Sequence, residues 1–299
     1  MKFCTFSLRG GDWSKTRVGS VTDEGVFEAP EGISMQDLLD GGAVFQKKVK
    51  WASEPRSLSS VRLAAPLPRP RKILAAIVNT KGMLGGSDVS LDRPRIDMKA
   101  PSAVIGPGET VKTRGSGVRP EVELAAVIGK RVSGAKPRQA GGAIFGYTIL
   151  NDMTAPKDSR EDAYEAYRRD PKTKELRRVT LRGPLFRSKN HDTFCPMGPW
   201  IVTADELGPS PDLRMTTRFR GRLLQDGRTS DYIFSPEALV AYISSFLTLE
   251  PGDVVSCGSV GWTKEALGER DPTEFVCTPS AGYLELEVEA IGVLRNRLS

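Results

Sequence analysis

The sequence predicts an α+β protein in which strands outnumber helices. Its apolar residues fall mainly in short runs bounded by turn residues, a pattern typical of strands. The 30 Gly and 21 Pro residues among 299 positions favour a chain with many turns. Residues 213–233 and 282–289 alternate apolar and polar side chains, as half-buried strands do. A chain of this length suits one large domain, or one domain with a small appendage.

Residues 1–70 are predicted to form a small β module that precedes a larger core. Alternating residues near the start and a Gly-containing turn near residue 25 indicate a hairpin. A short helix is expected over residues 34–40, with Ser34 as its N-cap and Gly41–Gly42 ending it. The proline-rich segment 66–70 is a stiff linker, so we place the domain boundary there and assign residues 71–299 to the core.

The core is expected to contain buried strands over residues 72–78, 120–129 and 144–152. In the second of these, Glu121 and Glu123 share a face because alternate side chains of a strand point the same way. Two like charges on one face repel unless they are solvated at an edge or neutralised by a hard cation. The third strand ends at Asp152, and burial of this carboxylate would require a partner.

Later segments give one helix, one turn and one exposed region. Ser235 followed by Pro236 predicts a helix start, and residues 225–227 predict a hairpin turn. Residues 158–182 are highly charged and carry Tyr164 and Tyr167, which we interpret as an exposed helix and loop. The glycine-containing loop 79–95 is either a lid or a simple connection.

Composition excludes several classes of function. The formal charge of +6 comes without a basic run interleaved with aromatic residues, so a nucleic-acid partner is not expected, whereas a small anionic substrate is compatible. No apolar segment approaches the roughly 18 residues of a membrane span, and the N-terminus does not resemble a secretory signal. The four cysteines lack metal-ligand spacing, which predicts reduced thiols and a cytoplasmic location. The single histidine, His191, excludes a multi-histidine zinc site within one chain.

Seven motifs stand in order along the core: EVELAAVIG at 121–129, GYTILND at 146–152, KNHDTFCPMGPW at 189–200, QDG at 225–227, LEPGDVV at 249–255, GSVG at 258–261 and GVLRN at 292–296. Taken together, they resemble the fumarylacetoacetate hydrolase family. The similarity extends from about residue 72 to the C-terminus, and residues 1–70 resemble the small β module that often precedes the family's core.

The resemblance implies a mixed β-sandwich roll that binds one Mg²⁺ or Mn²⁺ ion and forms a homodimer. The family's metal-binding carboxylates fall on Glu121, Glu123 and Asp152, an all-oxygen set that suits a hard cation. Lys189 matches the family lysine that holds anionic substrate oxygens. Further substrate contacts are implied for Asn79, Tyr147 and Ser259, the last of which keeps a hydroxyl where the family often has Thr.

The sequence departs from the family at the residues that activate water. Many family hydrolases carry a His–Glu pair after the first core strand, but here Met83 and Gly86 stand at those positions, and neither moves a proton. We interpret His191 as a packed structural residue. Lys81 is retained as a candidate catalytic base.

A second departure follows Asp152, where the family often has Arg and Gln. Pro156 and Ser159 occupy those positions, and the charged segment lengthens the chain before Lys189. We therefore expect a rebuilt pocket in which Arg160, Tyr164, Tyr167 or Arg168 supplies substitute substrate contacts, with Arg160 and Tyr164 as the first candidates.

Three functions remain open at this point. The first is a metal-dependent hydrolase or lyase that cleaves a C–C bond in a 1,3-diketo or acylpyruvate-like acid. The second is a 2-oxo acid isomerase, hydratase or decarboxylase on the same scaffold, which the missing His–Glu pair favours. The third is a non-catalytic homologue that keeps the metal site and has lost turnover.

Overall fold

Strands dominate the computed structural model, which describes residues 1–84, 90–113, 117–181, 183, 185–208, 210–272, 274–280 and 282–299. The strands are β1 (Lys2–Leu8), β2 (Arg17–Thr22), β3 (Gly25–Glu28), β4 (Val61–Leu63), β5 (Ile73–Ala76), β6 (Ile96–Lys99), β7 (Val104–Ile105), β8 (Thr110–Val111), β9 (Val122–Ile128), β10 (Ile144–Asn151), β11 (Tyr164–Arg169), β12 (Leu176–Leu181), β13 (Cys195–Thr203), β14 (Arg214–Phe219), β15 (Arg222–Arg228), β16 (Val254–Ser259), β17 (Leu284–Val288) and β18 (Gly292–Leu298). The helices are α1 (Met35–Lys48), α2 (Pro137–Gly141), α3 (Pro156–Glu161), α4 (Phe186–Lys189), α5 (Ala204–Leu207), α6 (Pro236–Ser244) and α7 (Lys264–Leu267). The predicted β-rich α+β class is confirmed.

The described strands form three sheets. The largest has eleven strands, with β3-β2-β1-β13-β10-β9-β16-β5-β6 as its main path, while β4 pairs with β1 and β7 with β13. A five-stranded sheet has the order β15-β14-β17-β18-β8, and β11 and β12 pair only with each other. The largest sheet is mixed, because β16 runs parallel to β5 and antiparallel to β9.

The two faces of the large sheet bury separate apolar clusters. Val122, Leu124 and Ala126 of β9 belong to a core shared with the five-stranded sheet and α6. Ala125 and Val127 point the other way, into a second cluster that includes Leu38 and Leu39 of α1. This alternation explains why β9 reads as a continuous apolar run, since both of its faces are covered.

The N-terminal strands join the large sheet directly. Residues of β1 pair with β13 through Lys2–Val202 and Phe3–Ile201, so residues 1–70 extend the sheet of the core. These strands also enclose an apolar cluster of their own, which includes Phe6, Val21 and Val26. The boundary at residue 70 stays a prediction.

Helix α1 begins at the expected N-cap and consists of two helical segments that meet at Gly42. Ser34 forms a capping box with Asp37, which satisfies the N-terminal amides. Gly42 interrupts the helix with φ 55°, but the chain resumes helical geometry and continues to Lys48. The predicted end at Gly41–Gly42 therefore holds for the first helical segment, and a second segment, which the sequence pattern does not predict, continues to Lys48.

Two local predictions are corrected by the strands. Residues 164–169 form β11 of an exposed hairpin instead of a helix, since spaced tyrosines also suit a strand. The turn between β14 and β15 lies at Arg220–Gly221, which have φ values of 54° and 80°, rather than at residues 225–227. Gln225 therefore lies within β15.

The helix predicted at Ser235 is confirmed as α6, with Ser235 Oγ accepting from Ala238 N at 3.3 Å. Among the described residues, no helix is long and apolar enough to cross a membrane.

Candidate metal centre

The paired strands β9 and β10 bring three carboxylates together. Glu123 is paired with Leu150, and the same register continues past the strand ends, where Asp152 N donates to Glu121 O at 3.0 Å. Alternate residues share a face, so Glu121, Glu123 and Asp152 point to the same side of the sheet. The sequence therefore determines this grouping through strand periodicity and antiparallel register.

The three carboxylates are buried and close enough to share one ion. Glu121, Glu123 and Asp152 are 5%, 2% and 4% exposed, and one carboxylate oxygen from each lies within 4.8 Å of the others. Octahedral coordination at about 2.1 Å requires oxygen pairs about 3 to 4 Å apart, so small side-chain movements would complete the set. Three carboxylates are also the donor type that Mg²⁺ and Mn²⁺ prefer. The residues present therefore fit such an ion.

Two buried lysines neutralise this cluster. Lys189 Nζ pairs with Asp152 Oδ2 and lies 3.1 Å from Glu121 Oε2. Lys99, which is 1% exposed, donates from Nζ to Asp152 Oδ1 and to the Lys189 carbonyl, both at 2.7 Å. Asp152 is consequently held by one ammonium group on each oxygen.

The lysines and carboxylates perturb one another's titration. Burial alone would raise the pKa of Asp152, but the charges of Lys189 and Lys99 lower it to about 2. Burial alone would lower the pKa of Lys189, but Asp152 and Glu121 raise it above its ordinary value. Both groups are therefore charged at neutral pH. Burial and the nearby Asp152 charge raise the pKa of Glu123 to about 8, so its carboxyl holds a proton easily.

Strand β16 supplies the donors that orient Glu123. Ser256 Oγ donates to Glu123 Oε2 at 2.5 Å, and Gly258 N donates to the same oxygen at 3.2 Å. Ser259 lies opposite Glu123 in the β9–β16 register and is 5% exposed. The predicted site residue Ser259 is therefore brought to the carboxylates, although its contact with substrate stays a prediction.

Gln225 connects the five-stranded sheet to this region. Its Oε1 accepts from Val122 N at 3.1 Å and from Thr217 Oγ1 at 2.8 Å, while its Nε2 donates to Ser259 Oγ at 2.9 Å. This fully buried amide fixes the start of β9 and the hydroxyl of Ser259 together.

Arg119 adds a third cation on the same face. Its Nε lies 3.2 Å from Glu121 Oε1, and its side chain is 17% exposed. Within the described residues, Arg119, Lys99 and Lys189 thus match the formal charge of the three carboxylates.

The other predicted substrate contacts occupy different surroundings. Asn79 donates from Nδ2 to the carbonyls of Phe234 and Cys257, both at 2.8 Å, and accepts from Phe234 N at 3.0 Å, so its amide connects segments of the fold. Tyr147 is fully buried and pairs with Ala126, on the face of the sheet opposite Glu123. This position argues against a substrate contact by Tyr147, because the core encloses its side chain.

Lys81, the candidate base, is exposed and lies beside the loop that carries Ser259. Thr80 Oγ1 donates to the Ser259 carbonyl at 2.8 Å, which fixes this neighbourhood. Met83 follows in the same turn, whereas Gly86 lies outside the described residues.

The charged segment after Asp152 contains two predicted substrate-binding residues, Arg160 and Tyr164, and both lie on the surface. Arg160 is exposed at the end of α3, and Tyr164 is 52% exposed at the start of β11. Neither is among the residues found in contact with the three carboxylates, and their substrate contacts stay predictions. His191 Nε2 pairs with Asp158 Oδ2 and its ring lies 5.0 Å from the Phe194 ring, an environment that suits a structural histidine.

Sequence reasoning missed Lys99, Gln225 and Arg119. Lys99 ends a short strand, and nothing local shows that its ammonium group reaches Asp152. Gln225 was assigned to a turn, which concealed its inward direction. Arg119 had a usable signal, because it stands two residues before Glu121 and thus shares the face of Glu121 and Glu123.

Comparison with known proteins agrees with this geometry. The sequence pattern of the fumarylacetoacetate (FAA) hydrolase C-terminal domain matches residues 75–299. A 2,4-didehydro-3-deoxy-L-rhamnonate hydrolase of Sphingomonas sp. (strain SKA58) is 29% identical over 100% of this chain and 96% of its own length. The oxaloacetate tautomerase YisK of Bacillus subtilis (strain 168) is 32% identical over 83% of this chain and 79% of its own length.

Solved structures show the same fold. A 5-carboxymethyl-2-hydroxymuconate delta-isomerase from Mycobacterium smegmatis superimposes with a TM-score of 0.73 at 27% identity, covering 100% of this chain and 99% of that one. A fumarylacetoacetate hydrolase from Exiguobacterium antarcticum gives a TM-score of 0.78 at 24% identity, covering 100% and 99%, and supports the fold alone. The predicted mixed β-sandwich roll is confirmed. With the family pattern spanning three quarters of its length, the chain belongs to the fumarylacetoacetate hydrolase family.

Proposed function

We propose that this protein is a divalent-metal-dependent enzyme that catalyses keto–enol tautomerisation or isomerisation of a 2-oxo acid. The observation that carries the proposal is the buried cluster of Glu121, Glu123 and Asp152, with two lysine ammonium groups fixed on Asp152. The similarity to an oxaloacetate tautomerase supports the same class of reaction.

Glu121, Glu123 and Asp152 would hold Mg²⁺ or Mn²⁺, which supplies Lewis-acid polarisation of a substrate oxygen when bound. Lys99 holds the Asp152 carboxylate in one orientation through its bond to Oδ1. Lys189 keeps its charge, so its ammonium group is available to hold an anionic substrate oxygen and to stabilise negative charge that develops there.

Enol-to-keto conversion moves one proton from the enol oxygen to the neighbouring carbon, whereas hydrolysis must in addition activate a water molecule for attack on carbon. Attack by water requires a positioned general base. In the described part of the chain, the groups that contact the three carboxylates are cationic side chains, hydroxyl groups and backbone amides. His191 pairs with Asp158, and residue 83 is Met, so neither supplies the base that a hydrolase needs.

C–C bond hydrolysis of a 1,3-diketo or acylpyruvate-like acid is the second candidate. The observation that favours it is the full-length similarity to a hydrolase from Sphingomonas. Lys81, exposed beside the Ser259 loop, is the candidate base for this reaction. A non-catalytic metal-binding role is the remaining alternative.

The assay compares enol-to-keto conversion of oxaloacetate with cleavage of a panel of acylpyruvates, each followed by ultraviolet absorbance with Mg²⁺, Mn²⁺ or EDTA. We expect metal-dependent acceleration of the oxaloacetate conversion, loss with EDTA and recovery with added metal. Cleavage of acylpyruvates without any effect on oxaloacetate would support the hydrolase instead. No turnover in a protein that still binds Mn²⁺ would support the non-catalytic role.

Glu123→Gln tests the role of the cluster, because the substitution keeps the shape of the side chain and removes its negative charge. We expect Mn²⁺ affinity to fall at least about a hundredfold and turnover to be lost, given the strength of charged ligands at a hard cation. Glu289→Gln is the matched control, since Glu289 is 53% exposed in an ion pair with Arg228. Unchanged Mn²⁺ affinity in Glu123→Gln would contradict the metal assignment.

A further inference from the structure

Beyond Glu121 and Asp152, the antiparallel pairing of β9 and β10 continues to a second pair of polar residues, Arg119 and Thr154. Arg119 N donates to Thr154 O at 2.8 Å, and Thr154 N donates to Arg119 O at 2.9 Å. This bridge continues the register that pairs Glu121 with Asp152. Because alternate residues share a face, Arg119 and Thr154 lie on the side of the carboxylates, about 7 Å further along the strands.

Both side chains carry buried polar atoms that make no hydrogen bond within the described residues. Thr154 is 2% exposed, and its Oγ1 has no partner. Arg119 Nε is buried and lies near Glu121 Oε1, but the N–H is not directed at that oxygen well enough to form a hydrogen bond. Unmet buried donors are costly, and they mark positions where a ligand or water completes the structure.

The positive charge of Arg119 indicates an anionic ligand beside Arg119 and Thr154. Arg119 is a cationic side chain, and its guanidinium matches a carboxylate with two parallel N–H donors. Its partial exposure of 17% leaves a route from solvent. The Thr154 hydroxyl offers one further donor. Arg119 Nη1 makes only a long contact of 3.5 Å with the Pro272 carbonyl among the acceptors of the described chain.

We propose that Arg119 and Thr154 form a subsite for a second carboxylate of the substrate, beside the Glu121 edge of the metal-binding cluster. The inference rests on the proposed function, which places the 2-oxo acid end of the substrate at Glu121, Glu123 and Asp152. The subsite therefore selects 2-oxo dicarboxylates over 2-oxo monocarboxylates.

The test uses isothermal titration of the Mn²⁺-loaded protein with three stable probes. Oxalate chelates a metal through both of its carboxylates and has no further carboxylate to offer Arg119. The compounds 2-oxoglutarate and 2-oxopentanoate have equal chain length and differ in the distal carboxylate. We expect 2-oxoglutarate to bind at least about tenfold more tightly than 2-oxopentanoate, as a charge-assisted contact predicts.

Two variants localise the effect. Arg119→Gln is expected to bring the ratio of the two affinities close to one, while oxalate affinity changes less than about threefold. Thr154→Val keeps the size of the side chain and leaves all charges in place, and we expect it to reduce the ratio severalfold. Arg131→Gln is the control, because Arg131 is 68% exposed and pairs with Glu250.

The outcomes separate the subsite from the proposed function. A ratio near one in the wild-type protein, or an unchanged ratio in both Arg119→Gln and Thr154→Val, would overturn the subsite even if oxalate binds. Failure of oxalate to bind the Mn²⁺-loaded protein would overturn the proposed function, and the subsite as a substrate contact with it. Thr154→Val keeps the test decisive if Arg119→Gln fails to fold.

Discussion

Lys99 offers the most quantitative test of how the candidate site is held together. Its ammonium group is 1% exposed and donates to Asp152 Oδ1 and the Lys189 carbonyl, both at 2.7 Å, with a weaker contact of 3.4 Å to the Met153 carbonyl. Lys99→Met keeps an unbranched chain of similar length and removes the charge. The substitution therefore deletes one buried ion pair and leaves two carbonyls without this donor.

The magnitude follows from these contacts. Removal of one partner from a buried pair costs about 3 to 5 kcal/mol, and the lower end applies because Lys189 still neutralises Asp152. We expect Lys99→Met to lower the free energy of unfolding of the metal-free protein by about 3 kcal/mol. With saturating Mn²⁺ the loss should shrink to about 1 kcal/mol, because a bound cation compensates the Asp152 charge.

Urea unfolding of Lys99→Met with EDTA and with Mn²⁺ measures both values. Lys130→Met is the control, since Lys130 is exposed beyond the end of β9 and should change stability by less than about 0.5 kcal/mol. A loss below about 1 kcal/mol in EDTA would refute the reasoning. An equal loss with and without Mn²⁺ would refute the coupling between Lys99 and the metal.

Four further predictions follow from the contacts of Glu123 and from the exposed hairpin. Because burial raises the pKa of Glu123 to about 8, Mn²⁺ affinity measured by titration calorimetry should rise up to about tenfold per pH unit between pH 6 and 8; a flat profile would contradict this. The pKa of Glu123 is about 8 in the folded metal-free protein and near 4.5 in the unfolded chain, so between these pH values the folded protein binds more protons. The contribution of Glu123 to the free energy of unfolding should therefore fall as pH rises from 4.5 to 8. Urea unfolding in EDTA measures this change. Ser256→Ala removes a donor to the ionised carboxylate and should weaken Mn²⁺ binding severalfold at pH 7. Replacement of residues 164–181 by a short Gly linker should shift Tm by only a few degrees, because β11 and β12 pair only with each other among the described strands; global unfolding would show that the hairpin packs on the core.

The core of the site was predictable because it depends on strand periodicity. Glu121 and Glu123 share a face in any extended strand, and Asp152 ends the strand that pairs with theirs. The family resemblance then predicted that the three residues are metal ligands and added Lys189 to the site. The structure places all four side chains in mutual contact range.

The remaining site residues depend on long-range contacts that local pattern does not encode. Lys99 reaches Asp152 across 53 positions, and Gln225 reaches Val122 across 103. Their directions follow from the packing of β6 and β15 against the central strands. The spacing of Tyr164 and Tyr167 is likewise compatible with a helix. Only the pairing of β11 with β12 makes residues 164–169 a strand.

We propose that Glu121, Glu123 and Asp152 bind one divalent cation, which holds the 2-oxo acid. Anomalous diffraction from crystals soaked with Mn²⁺ and oxalate tests this metal site. We expect a single strong peak about 2.0–2.6 Å from an oxygen of each carboxylate, with oxalate in the remaining coordination positions. No peak at these residues, or a peak that persists in Glu123→Gln, would contradict it.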